Sequence, residues 1–548
     1  MPELLVGPLL RYVGETEATV WVETDAACEV SVLGHSARTF NVAGHHYALV
    51  HVEGLEPGTT TAYQVALDGE QRWPQPSAEF PPSAIRTKQR GKPLKLIFGS
   101  CRVTAPHEPP HSLSKDKADE GREVDALYAL VLRMRHEPSE LWPHALVLLG
   151  DQVYADEVSP EALEFIRSRR DTDKPPGEEI ADFEEYTRLY REAWTSPSIR
   201  WLLSTVPSAM IFDDHDVHDD WNTSHAWTQE MRAKPWWHER IVSAYMSYWL
   251  YQHLGNLAPG ELREDELYNQ VVGHEGDAEP MLREFAERAE RETEGTRWSY
   301  CRDLAGTRLV MMDSRAGRVL EGRRCMIDDE EWGWIEQQAR GDFDHLLLGT
   351  SLPFLLGGGM HYLEAWNEAV CDGAWGKAAA KLGEKARQGL DLEHWAAFGD
   401  SFERVCGLLE AVGSGEHGEA PASIVLLSGD VHHAYLAEVA FRRGAGVESS
   451  VYQAVCSPFR NPLDTNEIRA IRVGLSRGGE FAGRALAHAA GVPDPPIRWR
   501  FREGPWFDNQ VATLLIDGRR MTFRIEKTLP PEESEEPTLE CVVERRLA

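Results

Sequence analysis

Basic residues are scarce in this chain relative to acidic ones. The 548 residues include 57 lysines and arginines against 89 aspartates and glutamates, so the formal net charge is −32. Such a charge repels nucleic acids and anionic membrane surfaces at long range. It excludes a role as a nucleic-acid scaffold. A small anionic ligand is still allowed, because bound cations reverse the field locally.

Long apolar runs and a dense set of cysteines are also lacking. No stretch reaches the roughly 18 apolar residues that a membrane helix needs. The first residues, 1–7, show neither a signal peptide nor a twin-arginine leader. Eight cysteines are too few for a disulfide framework in a chain of this length. We therefore expect a cytoplasmic protein without a membrane span, or an extracytoplasmic one if a leader is missing from the sequence.

Length and strand pattern predict more than one domain. Hydrophobic residues make up 42% and charged residues 27% of the chain, which is typical of a globular protein, and 548 residues exceed what one core usually holds. Residues 1–90 contain short alternating strands, such as 19–24 and 47–52. The segment 54–69, with Tyr63, resembles part of a fibronectin type III or immunoglobulin-like β-sandwich with a tyrosine corner. We expect this domain to be structural or oligomerising rather than catalytic.

Residues 91–528 have an α/β pattern. Continuous apolar runs, typical of strands buried on both faces, alternate with helical segments such as 123–135, 183–194 and 239–254. The runs are 94–98, 145–149, 209–212, 309–312 and 423–427. A charged stretch near 277–295 is interpreted as a solvated insertion, and residues 529–548 are expected to form a frayed acidic tail.

Four of the apolar runs are followed by potential metal ligands. In chain order these are Cys101; Asp151 with Tyr154; Asp213, Asp214, His215 and Asp216; and Asp430 with His432. A single aspartate after a strand is usually a turn residue or a helix cap, but four clusters are hard to explain in that way. Because active sites assemble at the carboxyl ends of strands in open α/β folds, we expect a metal site there.

The order of these motifs resembles that of the calcineurin-like metallophosphoesterases. Gly150-Asp151, the Asp-Asp-His-Asp block at 213–216 and Gly-Asp-Val-His at 429–432 carry the resemblance. Cys101, the Asp-Asp-His-Asp block and the last motif look specifically like the PhoD-like alkaline phosphatase branch. The resemblance spans residues 90–465 and implies a layered αββα sandwich. It also implies that a metal-bound hydroxide hydrolyses phosphate monoesters or diesters. The substrate would be a small phosphate ester.

Roles for the metal ligands follow from the same resemblance. Asp151 would bridge two ions, and Cys101 with Tyr154 would favour ferric iron. Asp214 and Asp430 would hold a second, oxygen-loving ion, and His432 would complete the shell. The expected metals are Fe³⁺ with Ca²⁺, or Mn²⁺ or Zn²⁺. The alternatives are that Tyr154 only packs and that Cys101 is an inert buried thiol.

Other polar residues are candidates for catalysis. His215 would protonate the leaving group, with a pKa raised by the flanking Asp214 and Asp216, or else would orient a ligand. Arg102 and Arg315 would clamp phosphate oxygens or form ion pairs.

Two further features leave alternatives open. Asp219 and Asp220 would extend the site toward a third ion or cap a helix near Trp221. His361 is either an extra ligand or an ordinary loop histidine.

Three departures from the superfamily pattern keep a rival function open. Ser100-Cys101 stands where Asp-x-His is usual, Asp214 replaces an asparagine, and Asp430 replaces a histidine. These changes favour a mixed iron–calcium site. They also allow a catalytically inactive scaffold that binds proteins, although such a scaffold has no need for buried, uncompensated carboxylates.

Overall fold

The computed structural model describes residues 1–76, 79–531 and 536–548. The first part of the chain is all β. Its strands are β1 (Leu4–Val13), β2 (Ala18–Thr24), β3 (Glu29–Val32), β4 (His35–Arg38), β5 (Phe40–Val42), β6 (His45–Val52), β7 (Thr60–Ala62), β8 (Val65–Leu67), β9 (Glu70–Trp73) and β10 (Ala84–Arg86).

These strands form antiparallel sheets, which confirms the predicted all-β N-terminal region. The orders are β1-β2-β6-β5 and β4-β3-β8-β9, and β7 pairs with β10. Alternate residues of the two larger sheets share one core, in which Val20 and Val50 meet Val30 and Val65. Alternation of this kind follows from the two-residue period of a strand.

The opposite face of the first sheet packs on the rest of the chain. Trp21 and Tyr47 lie against Tyr251, with ring centroids 5.3 and 5.7 Å apart. Arg11 of β1 is fully buried. Its guanidinium donates to the carbonyl oxygens of Tyr251 and Gln252, each at 2.7 Å. The N-terminal sheets are therefore anchored by a buried cation as well as by aromatic packing.

The tyrosine corner expected at Tyr63 is wrong. The Tyr63 hydroxyl donates to the carbonyl oxygen of Ser204 at 2.6 Å, 141 residues away in sequence. Ser204 belongs to the α/β part, so this tyrosine ties the two parts together instead of pinning its own strand.

The α/β part begins after residue 93. Its strands are β11 (Leu94–Gly99), β12 (Ala145–Leu149), β13 (Ser208–Ile211), β14 (Tyr300–Leu304), β15 (Thr307–Met311), β16 (His345–Gly349), β17 (Ser423–Ser428), β18 (Ala434–Ala440), β19 (Ser450–Val455), β20 (Arg498–Trp506), β21 (Gln510–Asp517), β22 (Arg520–Leu529) and β23 (Thr538–Arg546). Each of the five apolar runs coincides with a strand, as predicted.

Helices lie between these strands, and the three helical segments predicted above are confirmed. The helices are α1 (Ala126–His136), α2 (Pro160–Arg169), α3 (Phe183–Thr195), α4 (Pro197–Thr205), α5 (His225–Arg232), α6 (Trp237–Ser247), α7 (Pro259–Glu264), α8 (Glu266–Gly273), α9 (Glu279–Arg291), α10 (Asp329–Gln338), α11 (Gly358–Cys371), α12 (Lys377–Gly389), α13 (Gly399–Gly413), α14 (Thr465–Gly474) and α15 (Arg477–Ala489).

Two mixed sheets organise this part. The orders are β13-β12-β11-β21-β22-β23 and β14-β15-β16-β17-β19-β18-β20. Leu347 and Leu427 of the second sheet share a core with Phe98 and Leu148 of the first. Their sequence neighbours Leu348 and Leu426 face a second core, to which α10 and α13 contribute. The alternation buries both faces of these strands, which explains their continuous apolar sequences.

Two expectations about charged segments need correction. The stretch 277–295 does form a helix, but α9 packs against α6 and buries Leu282 and Ala286 completely. Hydrophobic residues at a four-residue spacing give this charged helix one buried face. The segment is therefore not a fully solvated insertion.

The chain end is not wholly a frayed tail. Strand β23 pairs with β22 from Thr538 to Arg546, because apolar residues interrupt the acidic run. The glutamates at 532–535 lie outside the described residues.

Two predicted absences can be compared with the structure. All eight cysteines are free thiols, as expected. In the part of the chain that is described, no helix has the length and apolar character to cross a membrane.

Candidate metal centre

The carboxyl ends of strands from both sheets meet at one place. The Asp430 backbone N–H, after β17, donates to the Ser100 hydroxyl, after β11, at 2.9 Å. Two glycines make this approach possible. A Cβ on Gly429 would lie 2.0 Å from the Ser100 hydroxyl oxygen, and one on Gly150 would lie 2.6 Å from Cβ of Asp213. Only glycine fits so close to a neighbouring chain segment.

Two clusters of ligand-type side chains share Asp151. Cys101, Asp151 and His432 bring a sulfur, a carboxylate oxygen and a ring nitrogen within 4.8 Å of one another. Asp151, Asp213 and Asp214 form a second cluster by the same measure. One carboxylate thus lies beside two sets of ligands, the arrangement that a two-ion site requires. Of these residues, only Asp213 had no predicted role as a ligand.

The backbone is strained at the ligand positions. Cys101, Asp151, Asp430 and His432 have φ values of 55°, 49°, 64° and 50°. The left-handed region is unfavourable for residues with a Cβ, and strain of this kind clusters at functional sites.

Burial and repulsion disfavour the charged forms of these side chains. Burial raises the pKa of Asp151 well above its ordinary value despite the favourable charge of His215, and the carboxylates of Asp213 and Asp214 raise it further. Burial and the charges of Asp151 and Asp430 likewise raise the pKa of the Cys101 thiol. A cation among these groups would reverse both effects.

Several buried ligand atoms have no hydrogen-bond partner among the described residues. They are Asp151 Oδ1, Asp213 Oδ2, Asp214 Oδ1 and His432 Nδ1. Buried polar atoms are almost always hydrogen-bonded, so orphaned ones need an explanation. The residues present fit a metal: their donor atoms are of the types that bind iron or zinc at Cys101 and His432, and harder ions at the aspartates.

Tyr154 lies beside the first cluster. Burial and the charges of Asp151 and Cys101 raise the pKa of its phenol well above the ordinary value. The amide of Asn461 donates to the hydroxyl oxygen at 3.4 Å, and the ring centroid lies 4.8 Å from that of His215. Both interpretations of Tyr154, ligand or packing residue, are compatible with this position.

Asp430 belongs to neither ligand cluster within the described residues. Its Oδ2 lies 3.2 Å from His394 Nε2, and Nδ1 of the same ring lies 2.7 Å from Glu364. Its Oδ1 lies 3.9 Å from Arg315. The carboxylate is therefore oriented by a histidine and an arginine, at the rim of the predicted site.

Arg315 does not face open solvent as a phosphate clamp would. It is fully buried and contacts carboxylates on every side. Its partners are Asp213, Glu393 at 2.6 Å, Asp214 at 3.3 Å and Asp430 at 3.9 Å. Burial lowers the pKa of the guanidinium, but these carboxylates raise it well above its ordinary value. Arg315 is a permanent cation behind the clusters, and it holds them together.

His215 is oriented by Asp156, not by its sequence neighbours. Its Nδ1 lies 3.0 Å from both carboxylate oxygens of Asp156. Burial opposes the cationic form, but the charges of Asp156 and Asp214 raise the pKa of His215 well above its ordinary value. The ring's Nε2 is left 3.9 Å from Asp219. Asp214, His215 and Asp219 form a third group of ligand-type atoms.

The role expected of Asp216 is wrong. Its carboxylate turns inward and accepts hydrogen bonds from the backbone N–H groups of Asp213 at 3.0 Å and Gln152 at 3.2 Å. It stabilises the two ligand loops rather than the charge on His215.

Arg102 is engaged in an ion pair. Its Nε and Nη2 lie 2.9 and 2.7 Å from one oxygen of Asp125, the residue that caps α1. This arrangement favours the ion-pair alternative over a phosphate contact.

The remaining candidates are placed as follows. The helix near Trp221 begins only at His225 and is capped by Ser224, so Asp219 and Asp220 are not its caps. The N–H of Asp220 donates to Asp214 Oδ2 at 3.1 Å. His361 is buried among the rings of Phe402 and Trp499 and is not brought to the ligand clusters.

Sequence reasoning gave no role to Asp156 or His394. Asp156 lies five residues after Asp151 in the segment that follows strand β12, so its position in the sequence could have indicated a role at the site. His394 follows helix α12 and has no such signal, because only the fold brings it to Asp430.

Parts of the chain match known families, and its fold resembles a solved structure. Residues 1–85 match a family described as a domain of unknown function (DUF7800), and residues 125–271 match the PhoD-like phosphatase family. A solved structure described as "Structure of PhoD" is similar with a TM-score of 0.58 and 12% identity, over 99% of this chain and 92% of that chain. At this identity the likeness shows the fold alone. No curated protein matches. The predicted resemblance to PhoD-like phosphatases is confirmed.

Proposed function

We propose that this protein is a metal-dependent hydrolase of phosphate esters. The observation that carries the proposal is Asp151, whose carboxylate lies in both the Cys101–His432 cluster and the Asp213–Asp214 cluster. Phosphate-ester hydrolysis is also the reaction that the family match over 125–271 indicates. Bound cations at these clusters would supply positive charge for phosphate oxygens and acidify a water molecule.

The two clusters differ in the ion that they suit. Cys101, His432 and Asp151, with Tyr154 beside them, are a set that favours iron. Asp213 and Asp214, with the shared Asp151, offer oxygen atoms suited to Ca²⁺ or Mn²⁺. Asp430 would reach the second ion from beside these clusters, with His394 and Arg315 orienting its carboxylate. The protein's own contribution is to hold these donors in place before substrate arrives.

His215 is the residue that we propose to move a proton. Asp156 occupies Nδ1, so the second proton of the imidazolium lies on Nε2. From there it is donated to the leaving-group oxygen, and Asp156 holds the ring in the required orientation.

A cavity beside Tyr154 could hold the organic part of a substrate. It has a volume of about 430 Å³ and is bordered by Tyr154, Arg102 and Gln152, with Val158 and Leu189 among its apolar lining. Its size suits a small ester.

The alternation of buried residues in the two sheets supports the αββα layering that the resemblance implies. The separate core between the two N-terminal sheets likewise supports a sandwich domain over residues 1–90. The free cysteines are in keeping with a reducing, cytoplasmic compartment. The rival function, an inactive scaffold, is disfavoured because it gives no reason for strained, unpartnered ligands at Asp151 and His432.

The test is turnover of an aryl phosphate monoester and an aryl phosphate diester by the wild-type protein and by Asp151→Asn. We expect activity in the first, loss by a factor of about 10³ or more in the second, and an unchanged circular dichroism spectrum. Asp303→Asn, an exposed aspartate in β14, is the matched control. Near-normal turnover by Asp151→Asn, or no turnover by metal-loaded wild type, would refute the proposal.

A further inference from the structure

A groove rich in arginine runs along the edge of the seven-stranded sheet. It has a volume of about 1200 Å³ and is bounded by β20, the turn after β18 and the start of α15. Six arginines line it, Arg442, Arg443, Arg477, Arg484, Arg498 and Arg500, against two carboxylates, Glu480 and Asp494. In a chain with a net charge of −32 this is a local reversal of sign.

Most of these guanidinium groups have no carboxylate partner. Arg484 pairs with Asp494, and Arg500 lies 3.7 Å from Glu438. The other four, Arg442, Arg443, Arg477 and Arg498, are exposed and form no ion pair with any described residue. Unpaired arginines presented from three chain segments into one groove are suited to bind an anion by paired hydrogen bonds.

Two aromatic residues of the groove, Phe501 and Trp499, already make contacts within the protein. The Phe501 ring stacks on Tyr435 with centroids 4.1 Å apart. The indole N–H of Trp499 donates to the carbonyl oxygen of Leu356 at 2.8 Å. Recognition by the unpaired guanidinium groups is therefore favoured over stacking on these two rings, which disfavours a ligand that carries bases.

The groove follows strand β20, and its lining on this strand extends from Arg498 to Gly504 and Pro505. Ala434, two residues after His432, is paired with Trp506, whereas Ala440 is paired with Arg498. Strand β20 therefore runs from the arginine-rich end toward the centre. Its 9 residues span roughly 30 Å at about 3.3 Å each. The volume exceeds that of a typical small-molecule pocket.

We propose that this groove is a binding site for a linear polyanion made of phosphate groups, separate from the metal centre. Regularly spaced negative charges on a thin, flexible chain match arginines that are distributed along a strand and two flanking segments. A single small anion would use only part of the groove. The chain's overall negative charge repels polyanions at a distance, so this local surface also selects the face on which one binds.

The test is titration of inorganic polyphosphate, of chains long enough to fill the groove, into the full-length Asp151→Asn protein, in which hydrolysis is blocked. We expect binding to persist in this protein and to fall at least about tenfold when Arg442→Glu and Arg443→Glu are added. Arg38→Glu with Arg90→Glu makes the same change of charge at exposed positions in the N-terminal part, and we expect it to leave the affinity unchanged. The Arg442→Glu/Arg443→Glu pair alone should leave turnover of a small aryl phosphate unchanged.

Four results would each overturn the proposal. If Asp151→Asn alone abolished binding, polyphosphate would be shown to bind at the metal centre instead of in the groove. Equal losses in the two arginine pairs would indicate a general charge effect. If orthophosphate bound with the same affinity as polyphosphate, the groove would not be selective for a linear ligand. A single-stranded DNA oligonucleotide that bound as tightly as polyphosphate would indicate a base-bearing polymer instead.

Discussion

Both carboxylate oxygens of Asp156 lie 3.0 Å from Nδ1 of His215. The pair joins two segments 59 residues apart in sequence. It fixes the orientation of the ring and leaves Nε2 as the nitrogen that we propose to face a substrate. Three predictions concern this site, and a fourth concerns the contact between the two parts of the chain.

The first prediction concerns proton donation. We expect His215→Ala to lower kcat by about 10²–10⁴ for a phosphate ester with a poor leaving group, and much less for one with a nitrophenolate leaving group. Asp156→Asn should lower kcat by a smaller factor, about 10–100, with little change in KM. Steady-state kinetics on both esters, with metal content measured alongside, checks this. An equal effect of His215→Ala on both esters would rule out a general acid.

The second prediction concerns the metal at the first cluster. The purified protein should carry iron, and it should show a visible tyrosinate charge-transfer band if Tyr154 is a ligand. Tyr154→Phe should remove the band while retaining iron, and Cys101→Ser should reduce the iron content. Elemental analysis and absorption spectroscopy decide this. Protein that contains only zinc or magnesium would disprove the ferric site.

The third prediction concerns the buried cation Arg315. Arg315→Met leaves several buried carboxylates uncompensated, so we expect the free energy of unfolding to fall by about 3–5 kcal/mol. Arg167→Met, which breaks the exposed pair with Glu178, should cost less than about 1 kcal/mol. Urea denaturation measures both. A raised KM with unchanged stability would instead support the phosphate clamp predicted from the sequence.

The fourth prediction concerns pH and the contact between the two parts of the chain. His45 of β6 lies 2.9 Å from both Glu23 and Glu184, the latter in α3. Burial opposes the charged form of His45, but the hydrogen bonds that its ring donates to Glu184 and Glu23 raise its pKa to about 9. The ordinary value in an unfolded chain is about 6.5. A raised pKa stabilises the folded state fully below that value, and the contribution is lost as pH rises through about 9.

We therefore expect His45→Gln to lower the Tm by about 2 °C or more near pH 6 and to have little effect above about pH 9.5. His35→Gln, in strand β4 and without such partners among the described residues, is the control. Thermal melts across this pH range measure the difference. A decrease in Tm that is the same at every pH would contradict the raised pKa of His45.

The sequence predicted the strands, and it placed the candidate ligands at their ends, because both are local properties. A run such as 145–149 is apolar at every position, and Asp151 follows it directly. The pairings around the site were not predictable in the same way. Arg315 looks like a clamp in isolation, and only the fold surrounds it with carboxylates from three other segments. Asp216 was expected to face His215 because it is adjacent in sequence, but the turn directs it to backbone N–H groups.

The buried guanidinium of Arg11 has a consequence for dissecting the chain. Its acceptors, the carbonyl oxygens of Tyr251 and Gln252, belong to the part that carries the metal ligands. A fragment that begins near residue 91 would expose those carbonyls together with the aromatic surface around Tyr251. The N-terminal sheets thus cover an apolar and polar surface of the α/β part, and we expect a fragment that lacks them to aggregate.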